Sequence, residues 1–439
     1  MISDLYINTD METISRRELK DLQLNRLKWQ LERCYKNSAF YRDKFKAAGV
    51  APHDIRSLDD LAKVPLTRKE ELRKEQAAHK PFGRFVIEGS ESWRELHPST
   101  GTTGNPVYTL WTENDVKNIT DFTARTMWSV GIRPGYVVQN AFSYGLWIAG
   151  LSVHYAAAKI GCLIIPIGAT MTKRQIDFMV ELGSNAFLST PSYALYISER
   201  MREEGVSPDN LKLELGLFGG EPGAEIPPTR KRIEEGLGIE AYDYYGLTEI
   251  APTMASECTE KEGLHWCEDH HLVEVVDPDT LERCGPGEEG VLVFTDLTKE
   301  AVPMIRYWSN DIASLDLDRC TCGRTHVRSP RGITGRADDM LIYKGAKFYP
   351  TQVEKIIRGL RGLSSEFHIE LSLDEKDLTQ YTVVAEYVDE AADLQELRAR
   401  LEQALKEELN VTPNVRLVKK GEMERTMFKA RRIIDKRML

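Results

Sequence analysis

Between Thr112 and Tyr244, short apolar runs alternate with longer segments of helical spacing, and few folds accommodate that alternation. Thr112 is placed to cap a helix carrying Val116, Ile119, Phe122, Met127 and Val130, which Gly131 and Pro134 end. Strands are predicted over Tyr136 to Phe142, Cys162 to Ile167, Ala186 to Ser189, Leu213 to Phe218 and Ile239 to Tyr244. Helices are predicted over Leu146 to Ile160, Thr172 to Leu182, and near 192–204 and 227–236. This rhythm implies right-handed βαβ units and a parallel sheet covered on both faces, an α/β fold. Ligands of such sheets sit beyond the carboxyl ends of the strands, where Gly219-Gly220-Glu221-Pro222 and Tyr245-Gly246-Leu247-Thr248-Glu249 fall.

The flanks differ. Residues 12–48 show helical spacing of Leu19, Leu22, Leu27, Leu31 and Cys34, a helical start able to pack in cis or across a dimer. From Leu58 to Arg73, Pro65 and Thr67 precede Lys69-Glu70-Glu71-Leu72, predicting a loop and a Thr-capped helix. His271 to Val276 and Gly290 to Thr295 read as antiparallel strands, giving a β-rich subdomain. Residues 300–345 read as a loop-rich functional region. Helices near 351–359 and 391–409, with strands near 366–373, 380–388 and 414–419, predict a small α+β domain. The expected boundary lies at Arg336 to Asp339, dividing the chain into 1–337 and 338–439.

At 439 residues the chain exceeds what one core usually serves, and its 41% hydrophobic, 29% charged composition is that of a globular protein. A net charge of −10 argues against a general nucleic-acid binder. There is no secretory leader pattern at 1–30 and no apolar run long enough to cross a bilayer, so a cytoplasmic, membrane-free protein is expected. Seven cysteines fit reduced thiols better than a disulfide framework.

The segment Ser99-Thr100-Gly101-Thr102-Thr103-Gly104-Asn105-Pro106 combines hydroxyls with glycines that let backbone amides approach an anion. It is not a Walker loop, since no Lys-Ser/Thr follows its last glycine and Asn105-Pro106 leads into the strand-like Val107 to Trp111. Alone, it reads equally as a phosphate cradle or a surface loop.

Taken in order, STGTTGNP, YYGLTE at 244–249, YWSND at 307–311, GRADDMLIYKG at 335–345 and a Lys near the C-terminus resemble the adenylate-forming enzymes. EGLHWCEDHH at 262–271, LTKEAVPMIRYW at 297–308 and KFYPTQVEKII at 347–357 narrow the resemblance to the phenylacetate-coenzyme A ligase group, from about Leu58 to Lys436. The resemblance implies adenylation of an aryl or arylacetic acid by ATP with Mg²⁺, then transfer of the acyl group to coenzyme A. Transfer to a carrier-protein thiol, or adenylation of a deazaflavin, is the alternative within the superfamily. A non-catalytic nucleotide-binding protein is the alternative outside it.

By resemblance, Glu249 is the magnesium ligand; Gly220, Glu221, Pro222, Asp243, Tyr244 and Tyr245 form the adenine pocket, followed by Gly246 and Thr248; and Asp311 holds the ribose hydroxyls. Arg336 flanks the nucleotide and Asp338 matches the hinge about which the small domain rotates. Lys429 in ERTMFKARR matches the lysine that contacts the carboxylate and α-phosphate during adenylation. Phe142, Tyr144, Gly145 and Trp147 follow a strand end, giving an aromatic acyl pocket that Ala251 borders; aromatics at this density equally read as packing.

Three positions depart from the family pattern. Asn105 stands where many relatives have Lys, Phe428 where a glycine is common, and Ile250 to Met254 where phenylacetate ligases carry a glycine-containing stretch. Cys258, His265, Cys320 and Cys322 match a closed Cys₃His structural zinc site, which a subset of the family carries. Cys267, His270 and His271 compete for that role, and buried free thiols are the alternative.

Overall fold

The computed structural model describes residues 5–99, 105–169, 171–343, 346–373, 379–388, 393–411, 413–425 and 432–437. Its largest sheet has eight strands in the order Arg328–Ser329, Leu264–Trp266, Ala251–Ser256, Glu240–Leu247, Leu215–Gly219, Ala186–Ser189, Val137–Asn140, Leu163–Ile165. The last five pair in parallel, as the alternation predicts. The first three extend the sheet antiparallel, which the sequence reading missed. Every residue of Ala251–Ser256 is buried, so that strand lacks the period-two pattern that would announce it.

Side chains set the element ends. Thr112 and Asp115 form a reciprocal capping box on the helix Glu113–Ser129, with the expected cap. The strand predicted to Phe142 stops at Asn140, because Asn140 Oδ1 accepts from Phe142 N at 3.1 Å and its Nδ2 donates to the Gly150 carbonyl at 2.9 Å. The start at 12–48 is two helices, Arg16–Asn37 and Ala39–Ala47. Extended backbone at Ser38 separates them, and its hydroxyl accepts from Tyr41 N and donates to the Arg84 carbonyl. This start packs in cis, with Gln23 and Gln30 donating to the carbonyls of Glu268 and Lys299.

Thr67 does not cap the next helix. It exchanges backbone hydrogen bonds with Arg306 and Trp308, at 2.8 and 2.9 Å, and the helix Lys69–Ala78 begins from Arg68, whose N–H is bonded by Glu71. The competing partner is the strand Tyr307–Ala313, central in a four-stranded antiparallel sheet with Gly290–Asp296, His271–Val276 and Gly335–Arg336. Two residues after Thr67, the helix therefore starts beside the strand that carries Tyr307 and Asp311.

The C-terminal region has its own sheet, ordered Asn414–Lys419, Thr379–Tyr387, Leu363–Leu373, Ile433–Asp435, with helices Pro350–Gly359 and Leu394–Leu409. Its hydrophobic cluster runs from Leu341 to Val415, including Phe348, Val353, Ile369 and Leu401. Arg358 donates to Thr229 Oγ1 at 2.9 Å, and Arg232 reaches the Leu360 and Leu363 carbonyls at 3.3 Å, joining this region to the helix Pro227–Leu237.

Candidate active site

The strand Glu240–Leu247 runs to the carboxyl edge of the parallel sheet and delivers Thr248 and Glu249 just beyond it. Gly246 is required there, because a Cβ would stand 2.0 Å from the Pro252 carbonyl oxygen of the returning strand. Glu249 is buried, and Lys69 Nζ lies 2.7 Å from its Oε1. Burial pushes the Glu249 carboxyl up, but Lys69 beside it outweighs burial and leaves it below the usual carboxylate range. Tyr307 also hydrogen-bonds this carboxylate; burial and the Glu249 and Asp311 charges raise its phenol well above normal. The backbone is fixed by Lys299, fully buried, whose Nζ donates to the carbonyls of Glu249 and Ile250 at 2.6 and 3.0 Å and lies 4.1 Å above the Trp111 ring. An anionic hard oxygen that already draws a cation suits Mg²⁺.

Asp311 is a second buried carboxylate on the neighbouring sheet. Its Oδ2 accepts from the Tyr245 hydroxyl at 2.5 Å and its Oδ1 from Arg336 Nη1 at 2.6 Å. Tyr245 packs on Phe294 and edge-on to Trp266. Arg336 also donates to both oxygens of Asp338, at 3.1 and 3.0 Å, and Asn310 adds a 3.2 Å bond to the same aspartate. Burial would lower the Arg336 guanidinium, and Asp311 and Asp338 raise it instead. The candidate ribose ligand and the candidate hinge thus share one cation.

The glycine turn after Leu215–Gly219 approaches the same edge. Gly219 contacts the Tyr244 carbonyl so closely that a Cβ would sit 2.5 Å away, and Gly220 has φ +88°. Glu221 is anchored to the start of the helix Pro191–Glu203 by the Ser192 N–H and hydroxyl, and Pro222 follows it in the turn. Tyr244 is buried in the layer behind. Asp243 is buried beside Glu225 and Glu257; burial and those two neighbours raise its carboxyl well above normal against the pull of Arg230. Glu225 is pushed up to about 7, first by burial, and its Oε1 has no hydrogen-bond partner among the described residues.

Of the acyl-pocket residues, Phe142 is buried edge-on against Trp147 and Tyr244. Tyr144 is half-buried, with its hydroxyl on Asn140 Nδ2 at 2.8 Å and near His154 Nδ1. Gly145 has φ +104°, and Ala251 is buried opposite Leu247. Ser99 is buried and its hydroxyl accepts from Val107 N at 3.0 Å, closing the base of the candidate cradle. Thr100, Gly101, Thr102, Thr103, Gly104, Phe428 and the candidate catalytic Lys429 lie outside the described residues.

Cys258, His265, Cys320 and Cys322 come together, their ligand atoms all within 4.8 Å of one another. Tetrahedral zinc, with bonds of about 2.3 Å to sulfur and about 2.05 Å to nitrogen, sets ligand separations of about 3.8 Å and about 3.6 Å. Cys258 Sγ to Cys320 Sγ is 3.8 Å, and Cys322 Sγ to His265 Nε2 is 3.6 Å. Cys258 hydrogen-bonds Cys322, which lowers the Cys322 thiol and raises that of Cys258, while burial raises Cys320. His270 and His271 instead bond Thr298 and Asp296, and Cys267 is buried as a free thiol.

Sequence reasoning missed Lys69. Its type and spacing match no motif, and only the pairing of Thr67 with Arg306 and Trp308 brings it to Glu249.

Residues 96–297 match the AMP-binding enzyme family and residues 345–437 the AMP-binding enzyme C-terminal domain. A phenylacetate-coenzyme A ligase of Thermus thermophilus is 40% identical over 98% of this chain and 99% of its own. The chain belongs to the phenylacetate-coenzyme A ligase family. Among solved structures, a 2-hydroxyisobutyryl-CoA ligase in the postadenylation state with 2-HIB-AMP is 32% identical, covering 99% of this chain and 93% of that one, with a TM-score of 0.94. The same ligase with 2-HIB-AMP and CoA in the thioesterification state, 33% identical with the same coverage, gives 0.75. The chain therefore superimposes more closely on the postadenylation structure than on the thioesterification one. Among the described residues, no helix is long and apolar enough to cross a membrane.

Proposed function

We propose that this chain is an ATP-dependent, AMP-forming ligase for an aryl or arylacetic acid with coenzyme A as the acceptor. The observation that carries the reading is the shared edge where Glu249, Tyr307, Asp311, Tyr245 and Arg336 converge beside the glycine turns. The acid's carboxylate oxygen attacks the α-phosphorus, and the bond to the β-phosphate breaks to release pyrophosphate. The coenzyme A thiolate then attacks the acyl carbon and AMP leaves.

The residues divide this work by position. Asp311, oriented by Tyr245 and Arg336, presents its carboxylate to the ribose hydroxyls. Gly220, Glu221, Pro222 and Asp243 border the adenine, with Tyr244 behind and Tyr245, Gly246 and Thr248 beside it. Glu249 holds Mg²⁺, which when bound neutralises charge on the phosphates. Ser99 to Gly104 cradle the phosphates and Lys429 contacts the carboxylate and α-phosphate. Tyr144, Gly145, Phe142 and Ala251 shape the acyl pocket. Residues 338–439 form the mobile unit, turning at Asp338 once its bonds to Arg336 exchange. The Cys258, His265, Cys320, Cys322 set holds a structural zinc that ties the two loops together. The reading includes a cytoplasmic enzyme, and light scattering tests whether the chain pairs with a second copy as a homodimer.

The testing experiment measures pyrophosphate release from ATP and Mg²⁺ with aryl, arylacetic, short-chain and medium-chain acids, each with and without coenzyme A. Release with aryl or arylacetic acids, and AMP and thioester only with coenzyme A, is the expected result. AMP release that does not depend on the coenzyme, or silence despite ATP binding, overturns it.

A further inference from the structure

The segment Ser99–Pro106 contains no lysine or arginine, so its side chains offer an anion no positive charge. The helix Lys69–Ala78 is tied to its outgoing end: Arg73 Nε donates to the Asn105 carbonyl at 3.1 Å and Gln76 Nε2 to the Pro106 carbonyl at 2.9 Å. Gln76 Oε1 also accepts from Tyr108 N at 2.9 Å. The first residue of that helix is Lys69, on Glu249. One rigid helix thus links the flank of the cradle to the carboxylate that would hold the metal.

The two cations at Glu249 differ in commitment. Lys299 is fully buried, bonded to two carbonyls and stacked on Trp111. Lys69 keeps 28% of its side chain exposed while the carboxylate it meets is 5% exposed, so it approaches from the open side. Its flexible stem lets the ammonium move by several ångströms without moving the helix.

We propose that Lys69 is an exchangeable counter-ion: it neutralises Glu249 when no nucleotide is bound, cedes that carboxylate to the divalent cation arriving with ATP, and then contacts the phosphate oxygens itself. Lys69 thereby supplies the charge the cradle lacks. It also prevents Glu249 from standing as an uncompensated buried anion between turnovers. The proposal rests on the reading of Glu249 as the metal ligand.

Calorimetry on the full chain separates the roles. Lys69→Met is compared with wild type for binding of Mn²⁺ alone and of Mg²⁺ with a non-hydrolysable ATP analogue. Loss of a competing cation should tighten Mn²⁺ binding about tenfold, and loss of a charge-assisted phosphate contact should weaken the nucleotide about tenfold. A merely structural lysine moves both in one direction or neither, and any result other than these opposite shifts overturns the proposal. Lys69→Gln, a neutral amide that can still bond Glu249, provides the same comparison should the methionine variant not fold. Glu249→Gln is the control: unchanged Mn²⁺ affinity there refutes the metal-ligand reading itself, whereas its loss there with no change in Lys69→Met refutes only the exchange.

Discussion

Glu199→Ala should shift the balance between the two half-reactions in opposite senses. Glu199 lies on the helix Pro191–Glu203, with Lys420 Nζ 3.0 Å and Arg425 Nη2 3.3 Å from its Oε1. Arg425 is anchored in turn on the buried Glu386 within the C-terminal sheet, so the two pairs bridge the helix layer of the large sheet to the C-terminal unit. Glu199 is 23% exposed, which places each pair near the upper part of the range for partly solvated ion pairs, about 0.5–1 kcal/mol. Together they favour the present arrangement by about 1–2 kcal/mol, a factor of about 5–30 in its population. Since this arrangement resembles a postadenylation state more closely than a thioesterification state, the alanine variant should favour rotation.

Pyrophosphate release without coenzyme A reports the first half-reaction, and thioester formation from a supplied acyl-adenylate reports the second. The variant should slow the first by no more than the population factor and accelerate the second wherever rotation limits it. Higher ionic strength should move the wild type toward the variant and leave the variant nearly unchanged, because screening acts on the same pairs. Equal loss in both half-reactions, or the same salt response in both proteins, would refute the reasoning.

Asp311→Asn removes the charge that Tyr245 and Arg336 orient and should raise the KM for ATP about tenfold or more, read from initial rates, with a smaller effect on the acid. Metal analysis should find one zinc per chain in the wild type and none in Cys320→Ser, with a lower Tm that added zinc does not restore; a zinc-free wild type removes that site. Glu225 has a folded value near 7, above that of an unfolded glutamate, so it stabilises the fold at low pH and this contribution fades as pH rises toward and through 7. Glu225→Gln should therefore flatten the fall in urea-unfolding stability from pH 5 to 8, by up to about 1.4 kcal/mol per pH unit, and an unchanged slope would count against it.

The parallel half of the large sheet was legible because helices interrupt its strands and each strand is a short apolar run. The antiparallel half was not: Ala251–Ser256 is buried on both faces and follows the Glu240–Leu247 strand after only a tight turn, so neither spacing nor alternation marks it. In the candidate site, residues within contiguous motifs stay together at one sheet edge, because Gly246 and the Asp311 strand place them through local backbone. The clustering of Cys258, His265, Cys320 and Cys322 was legible for a different reason, since cysteine and histidine carry their chemistry in their type. Lys69 carries no such mark. A lysine at a helix start is usually a solvated charge, and here it meets a buried carboxylate 180 positions away only because Thr67 prefers a strand partner to the helix cap its sequence position offers. The failed cap and the missed lysine therefore have one cause. Breaking the Thr67 pairing, as Thr67→Pro would by removing the N–H that bonds the Arg306 carbonyl, should detach Lys69 from Glu249 and reproduce in part the binding shifts of Lys69→Met, with a further loss of stability from the missing strand pairing.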